Sequence, residues 1–146
     1  MKKFSLFAML GLIGLLGLVG CVPQEVAPLN AAPADAGAFA RMKFAAPPEK
    51  LFPALRDSVE NGTGDMLITN VFSGRDGVGA FWQKIAGQSA RVYFTIQADG
   101  ENSLVKVSTV PARAPEAQLL ARSLNVVGND VADRLGLKAF TLEADK

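Results

Sequence analysis

The 146-residue sequence contains no histidine, one cysteine, one tryptophan and one tyrosine. Without histidine the chain lacks the commonest general base, and the usual catalytic triads and most zinc sites are excluded. The single cysteine, Cys21, cannot form a disulfide within the chain, so a folded domain must depend on its apolar core. Acid–base catalysis would rest on scattered carboxylates. We therefore predict that the protein is not an enzyme and has no catalytic residues, no metal and no cofactor.

Charge is also nearly balanced. Without Lys2 and Lys3, the fifteen basic residues fall to thirteen, against fourteen acidic ones. No basic run is present, which argues against nucleic acid as a partner. A nearly neutral surface attracts anionic lipid only weakly, so attachment to a membrane would need a lipid anchor.

The first twenty residues have the pattern of an export signal. Met1-Lys2-Lys3 is a short basic start, and residues 4–20 are uncharged, rich in leucine and interrupted by four glycines. A basic start, an apolar core and small residues before a break are typical of a secretory signal peptide. A spanning helix needs about 20 apolar residues, and glycines weaken helices. We predict that residues 1–20 are a signal peptide.

Cys21 directly follows this apolar run. Leu18, Val19 and Gly20 precede it, and this order resembles the lipobox of bacterial lipoproteins. The resemblance implies cleavage before Cys21, a diacylglyceryl group on its sulfur and acylation of the new amino terminus. Two or three acyl chains, at about 0.8 kcal/mol per buried CH₂, anchor a protein stably. The alternative is a buried, inert cysteine, which does not explain why Cys21 lies where the apolar run ends.

The residue after Cys21 indicates in which membrane the protein would be anchored. In enteric-type lipoproteins an aspartate after the cysteine favours the inner membrane; this chain has Val22, so the resemblance implies the periplasmic face of the outer membrane in the bacterial cell envelope.

Residues 22–37 contain three prolines and five alanines. Because such a segment buries little apolar area, we predict that residues 21–38 are the lipidated cysteine and a flexible tether.

Residues 39–146 are predicted to form a single domain with the order β-α-β-β-β-β-α. A first strand at 40–45 is followed by a helix between Pro47 and Asn61. Further strands are expected at 66–72, 80–85, 91–97 and 104–110, and residues 99–102 are expected to form a hairpin turn. The last helix begins near Pro115, and its predicted buried stripe is Leu120, Leu124, Val127, Val131 and Leu135.

Within the last helix, Gly128 is a candidate bend, because glycine costs a helix about 1 kcal/mol relative to alanine. Residues 138–142 are a candidate closing strand.

The elements together predict an α+β fold, an antiparallel sheet of four to five strands with two helices packed on one face. Residues 39–60, in which a strand leads through Pro47-Pro48-Glu49-Lys50 into a helix, resemble the opening of helix-grip domains. In that superfamily the sheet grips a long carboxy-terminal helix, and some outer-membrane assembly lipoproteins carry compact versions. A shared fold does not imply a shared function.

Two loops contain residue types of ligand sites. The glycines of residues 74–79 follow a strand, but a dinucleotide site needs a following helix, so we expect a strand connection over residues 73–79. Residues 99–102 offer too few ligands for calcium.

Two surfaces are candidates for contact with a partner. The outward face of the strands would carry Arg91 and Tyr93 within a polar surface, and ordinary solvated sheet is the alternative. On the last helix, Leu119 and Val126 flank Arg122 on the side away from the buried stripe. Single exposed apolar residues are normal, but such a group also fits a modest interface.

We therefore expect a membrane-anchored, non-catalytic module for protein interaction or assembly, with another envelope protein as partner. The alternative is a carrier of a lipid or other small apolar ligand between the sheet and the last helix. Its lining would be Phe44, Phe52, Phe72, Phe94, Leu124 and Val131. The same side chains would also serve to fill a core.

Overall fold

A computed structural model of the protein describes residues 32–74, 77–85 and 90–145, and between residues 67 and 85 it describes the backbone only. The strands are β1 Gly37–Phe44, β2 Met66–Gly74, β3 Gly77–Ile85, β4 Arg91–Asp99, β5 Asn102–Val110 and β6 Thr141–Ala144. The helices are α1 Pro48–Glu60 and α2 Ala117–Leu135, and a short 3₁₀ turn covers Thr63–Asp65. The predicted signal peptide and the residues that resemble a lipobox lie outside the described residues.

The described strands form one antiparallel sheet in the order β2-β3-β4-β5-β1-β6, and both helices pack on one face of it. This confirms the predicted α+β fold. The sheet has six strands instead of four to five, because the carboxy-terminal segment pairs with β1 as β6. The connection expected over residues 73–79 is also shorter than predicted, since β2 continues to Gly74 and β3 begins at Gly77.

Helix α1 begins where the two prolines predict. Pro47 is the extended residue before the helix and Pro48 is its first residue, where a missing amide donor costs nothing. Pro53 lies inside the helix and removes one backbone hydrogen bond there. Leu51, Leu55 and Val59 are buried, and their helical spacing gives α1 its core-facing side.

β4 and β5 form a hairpin in which the two strands pair along their full length. Asp99 pairs with Asn102, and between them Gly100 has a φ of 64°, a conformation that glycine adopts without the steric cost of a side chain. Val92, Phe94 and Ile96 alternate along the buried face of β4. Val105 and Val107 do the same on β5, as the period of two predicts.

The predicted stripe of α2 is confirmed. Leu120, Leu124, Val127 and Val131 are at most 1% exposed, and Leu135 is partly buried against the same core. Gly128, the candidate bend, does not interrupt the helix. α2 continues through Gly128, where an added Cβ would overlap the ring of Phe140. The glycine provides room for an aromatic ring that follows the helix in sequence.

Candidate functional site

A surface groove of about 580 Å³ lies between the amino-terminal half of α2 and the sheet edge formed by β1 and β6. Among the described residues, thirteen line the groove and seven of these are alanines. We call this feature the alanine groove. Its volume lies within the range of ligand pockets, about 300 to 1,000 Å³.

The groove exists because small side chains face each other across the gap between helix and sheet. On α2 the wall is formed by Ala117 and Ala121, which are four residues apart and therefore on one side of the helix. On the sheet, Ala40 of β1 pairs with Ala144 of β6, and both line the groove. Because an alanine side chain ends at Cβ, the facing surfaces leave a gap that larger side chains would fill.

In the opposite half of α2, the space beside Gly128 is filled. There, the ring of Phe140 fills the space above Gly128 and stacks on Phe44 of β1, with ring centroids 5.4 Å apart. One helix is thus sealed against the sheet at its carboxy-terminal half and open at its amino-terminal half. The groove is a consequence of which residues are small, and the core beside it remains packed.

Two charged groups mark the rim of the groove. Asp145 lines it and accepts a 2.8 Å hydrogen bond from the Arg41 guanidinium, so its charge is compensated. Arg113 also lines the groove and is exposed. It forms no ion pair with any residue in the described ranges. Among the described residues, the rim charge without an ion pair is therefore the positive charge of Arg113.

The outer edge of β6 borders the groove. The Asp145 amide donates to the Phe39 carbonyl at 3.0 Å, which fixes the alternation of the ladder. By that alternation, the backbone N–H and C=O groups of Leu142 and Ala144 point away from β1. No strand among the described residues pairs with this side of β6. The edge offers donors and acceptors beside an apolar groove.

The predicted partner surface on the strands needs a correction. Tyr93 was expected to face solvent, but it is only 3% exposed. It lies in an interior strand, in register with Phe81 of β3 and Ser108 of β5. Directly opposed side chains on neighbouring strands lie close enough to contact one another, and Tyr93 has such a neighbour on each side. Arg91, at the beginning of β4, is exposed.

The predicted surface on the last helix is present in part. Val126 is 51% exposed and Arg122 is exposed, whereas Leu119 is half-buried. These residues lie on the side of α2 away from the sheet. They are not brought together with Arg91, because α2 covers the opposite face of the sheet.

The predicted carrier lining forms packed core where it is described. Phe44, Phe94, Leu124 and Val131 are at most 1% exposed, and Phe52 is half-buried. The side chain of Phe72 lies outside the described residues. Of the described members of this set, Leu124 alone lines the alanine groove. The groove was not predicted from the sequence, although Ala117 and Ala121, which extend the α2 stripe without filling it, were a signal.

Leu18, Val19, Gly20 and Cys21 lie outside the described residues. In the described part, no helix is long and apolar enough to cross a membrane. Nor do the residues at 32–74, 77–85 and 90–145 group three or more potential metal ligands together. No protein-family profile matches the sequence, and no curated protein is significantly similar to it.

Proposed function

We propose that this protein is a bacterial envelope lipoprotein whose folded domain is a non-catalytic interaction module, with the alanine groove as its binding site. The observation that supports the site is the groove itself, an apolar recess preformed beside a packed core. Binding sites are concave, apolar and largely preformed, with few polar groups at the rim. The absence of histidine and of any cysteine besides Cys21 argues against catalysis.

The anchor is proposed from the order Leu18-Val19-Gly20-Cys21. The chain enters the sheet at Gly37, and the next residue, Ala38, lines the groove. The tether therefore joins the fold at the groove. About sixteen residues at ~3 Å each allow the groove to stand some tens of Å from the membrane, which is within reach of other envelope proteins.

The anchor is tested by replacing Cys21 with serine. We expect the wild-type protein in the membrane fraction, with an intact mass that corresponds to residues 21–146 plus acyl groups. Cys21→Ser should accumulate as uncleaved precursor or as soluble protein, whereas the control Val22→Ala should behave as wild type. Normal processing and membrane retention of Cys21→Ser would contradict the proposal.

The binding site is tested by photo-cross-linking in living cells. A photoreactive residue at Gln118 lies in the groove, and one at Val126 lies about two turns further along α2, exposed and outside the groove. We expect a reproducible envelope protein, identified by mass spectrometry, to cross-link at 118 and not at 126. Equal labelling at both positions would show non-specific encounter and would contradict a site in the groove.

A carrier is the second candidate, and the volume and apolar lining of the groove favour it. In this form the ligand occupies the alanine groove instead of the packed centre predicted from sequence. A carrier would hold a small molecule in the protein isolated from its host, whereas an interaction module would hold a segment of a protein.

A further inference from the structure

We infer that the alanine groove and the outer edge of β6 together bind an extended peptide segment of a partner protein, which adds to the sheet as a further strand beside β6. The inference rests on the proposed interaction function and specifies how the site works and what chemistry it recognises. Its support comes from the backbone of β6, the side chains of the groove and the charge at the rim.

The backbone of β6 favours a peptide over a lipid. The N–H and C=O groups of Leu142 and Ala144 point outward, and no described strand pairs with them. An extended peptide can pair with these donors and acceptors, as in other cases of strand addition at a sheet edge. An acyl chain fills apolar volume but has no groups to pair with the backbone.

The register of β6 determines the face of the sheet to which the side chains of an added strand would point. Leu142 pairs with the buried Met42, and Ala144 pairs with the buried Ala40. These positions of β6 therefore lie on the face of the sheet that carries α2. Because alternate residues of a strand point to the same face, every second side chain of an added strand would point towards the groove. Apolar side chains at those positions would fill it.

The rim adds a preference for acidic partners. Asp145 is compensated by Arg41, while Arg113 has no ion pair among the described residues. A carboxylate on the peptide would pair with the Arg113 guanidinium, which offers donors in a planar fork that matches carboxylate geometry. The ligand chemistry is therefore a short extended segment with alternating apolar residues and an acidic residue.

The edge also limits indiscriminate pairing. β6 has only four residues and carries Glu143, and short, charged edges resist aggregation. Few backbone hydrogen bonds are available, so most of the selectivity must come from side chains in the groove.

The test uses the lipidated protein in nanodiscs and a synthetic peptide of about nine residues, a usual strand length, in which valine alternates with threonine before a terminal aspartate. The readout is hydrogen exchange, resolved to single amides. We expect saturating peptide to slow exchange at the Leu142 and Ala144 amides at least about tenfold, which corresponds to about 1.4 kcal/mol. The same peptide with N-methylated alternate amides should not slow it.

Two variants separate backbone pairing from charge. Ala144→Pro removes an N–H that points away from β1, so the hydrogen bonds between β6 and β1 remain. Because proline is tolerated at sheet edges, the variant should keep its Tm, but it should no longer bind the peptide. Arg113→Glu should weaken binding of the peptide, whereas Lys50→Glu, at an exposed position of α1 outside the groove, should not. If Ala144→Pro does not fold, Ala121→Leu, which narrows the groove, replaces it.

Strand addition is overturned if no peptide binds at about 1 mM, if exchange at Leu142 and Ala144 is unchanged, or if the N-methylated peptide binds equally well. Protection produced by palmitate and not by the peptide would identify a carrier and would also overturn it. The anchor is independent of these results. Cys21→Ser protein should bind the peptide normally, so failure of the anchor and failure of strand addition are distinguishable.

Discussion

The ring of Phe140 lies against Gly128 of α2, at a distance that leaves no room for a Cβ atom on the glycine. The same ring stacks on Phe44, with planes inclined by 12°. Phe140, which immediately precedes β6, thus contacts both α2 and β1. This contact seals one half of α2 and leaves the alanine groove at the other half.

We predict that Gly128→Ala destabilises the fold. Alanine improves helix propensity by about 1 kcal/mol, but its methyl group would overlap the Phe140 ring, and overpacking of this kind costs about 1 to 3 kcal/mol. The free energy of unfolding should therefore fall. In a Phe140→Ala background the same substitution should be neutral or stabilising. Stabilisation by Gly128→Ala in the wild-type background would contradict the contact.

Leu124→Asp should unfold the protein. Leu124 is fully buried at the centre of the α2 stripe, and truncation of such a leucine alone costs about 2 to 5 kcal/mol. An unpaired carboxylate in the same place adds to this cost. The control is Val126→Asp, two residues further along at a position that is 51% exposed, which should change Tm little. Similar circular-dichroism melting curves for both variants would refute the helix register.

Ser103→Ala should cost about 1 to 3 kcal/mol. The Ser103 hydroxyl is buried and donates a 2.6 Å hydrogen bond to the Ala46 carbonyl, joining β5 to the chain between β1 and α1. Its removal leaves a buried acceptor without a partner. Ser108→Ala, at a half-buried serine in the same strand, should have a much smaller effect in denaturant unfolding. Equal effects would show that the hydrogen bond contributes nothing specific.

Asp130 should make the free energy of unfolding decrease slightly at acidic pH. The Arg134 guanidinium donates a 2.6 Å hydrogen bond to its carboxylate and holds the pKa of Asp130 below its ordinary value of 3.8, with burial partly opposing the shift. Because the folded pKa is lower than the unfolded one, the contribution is fully present above the unfolded pKa. It is lost as pH falls through the folded pKa.

The matching variant is Asp130→Asn. At neutral pH it should lose the value of an exposed i, i+4 ion pair, about 0.3 to 0.5 kcal/mol. The difference from wild type should shrink between about pH 6 and about pH 2 in urea unfolding. A difference that stays constant across this range would show that the pair does not stabilise the fold.

The sequence predicts those parts of the fold that a repeating pattern encodes. The spacing of Leu120, Leu124 and Val131 defines the buried side of α2, and a turn sequence at residues 99–102 defines the β4–β5 hairpin. Such patterns depend on neighbours along the chain, so they are readable without knowledge of the tertiary structure.

Features that depend on distant residues were not predictable. The burial of Tyr93 depends on the strands at its sides, and the role of Gly128 depends on where Phe140 returns to the helix. The alanine groove brings together residues from β1, α2 and β6. It results from missing side-chain volume on three elements, which no single stretch of sequence displays.

The most direct test of the proposed function is native mass spectrometry of the lipidated protein, extracted gently from the membranes of its own host. An interaction module predicts the mass of the acylated chain, alone or with whole protein subunits, and no small molecule bound in the groove. Ala121→Trp, which fills the groove, should remove any bound subunit. A reproducible small-molecule mass that Ala121→Trp abolishes would contradict the interaction module and identify a carrier.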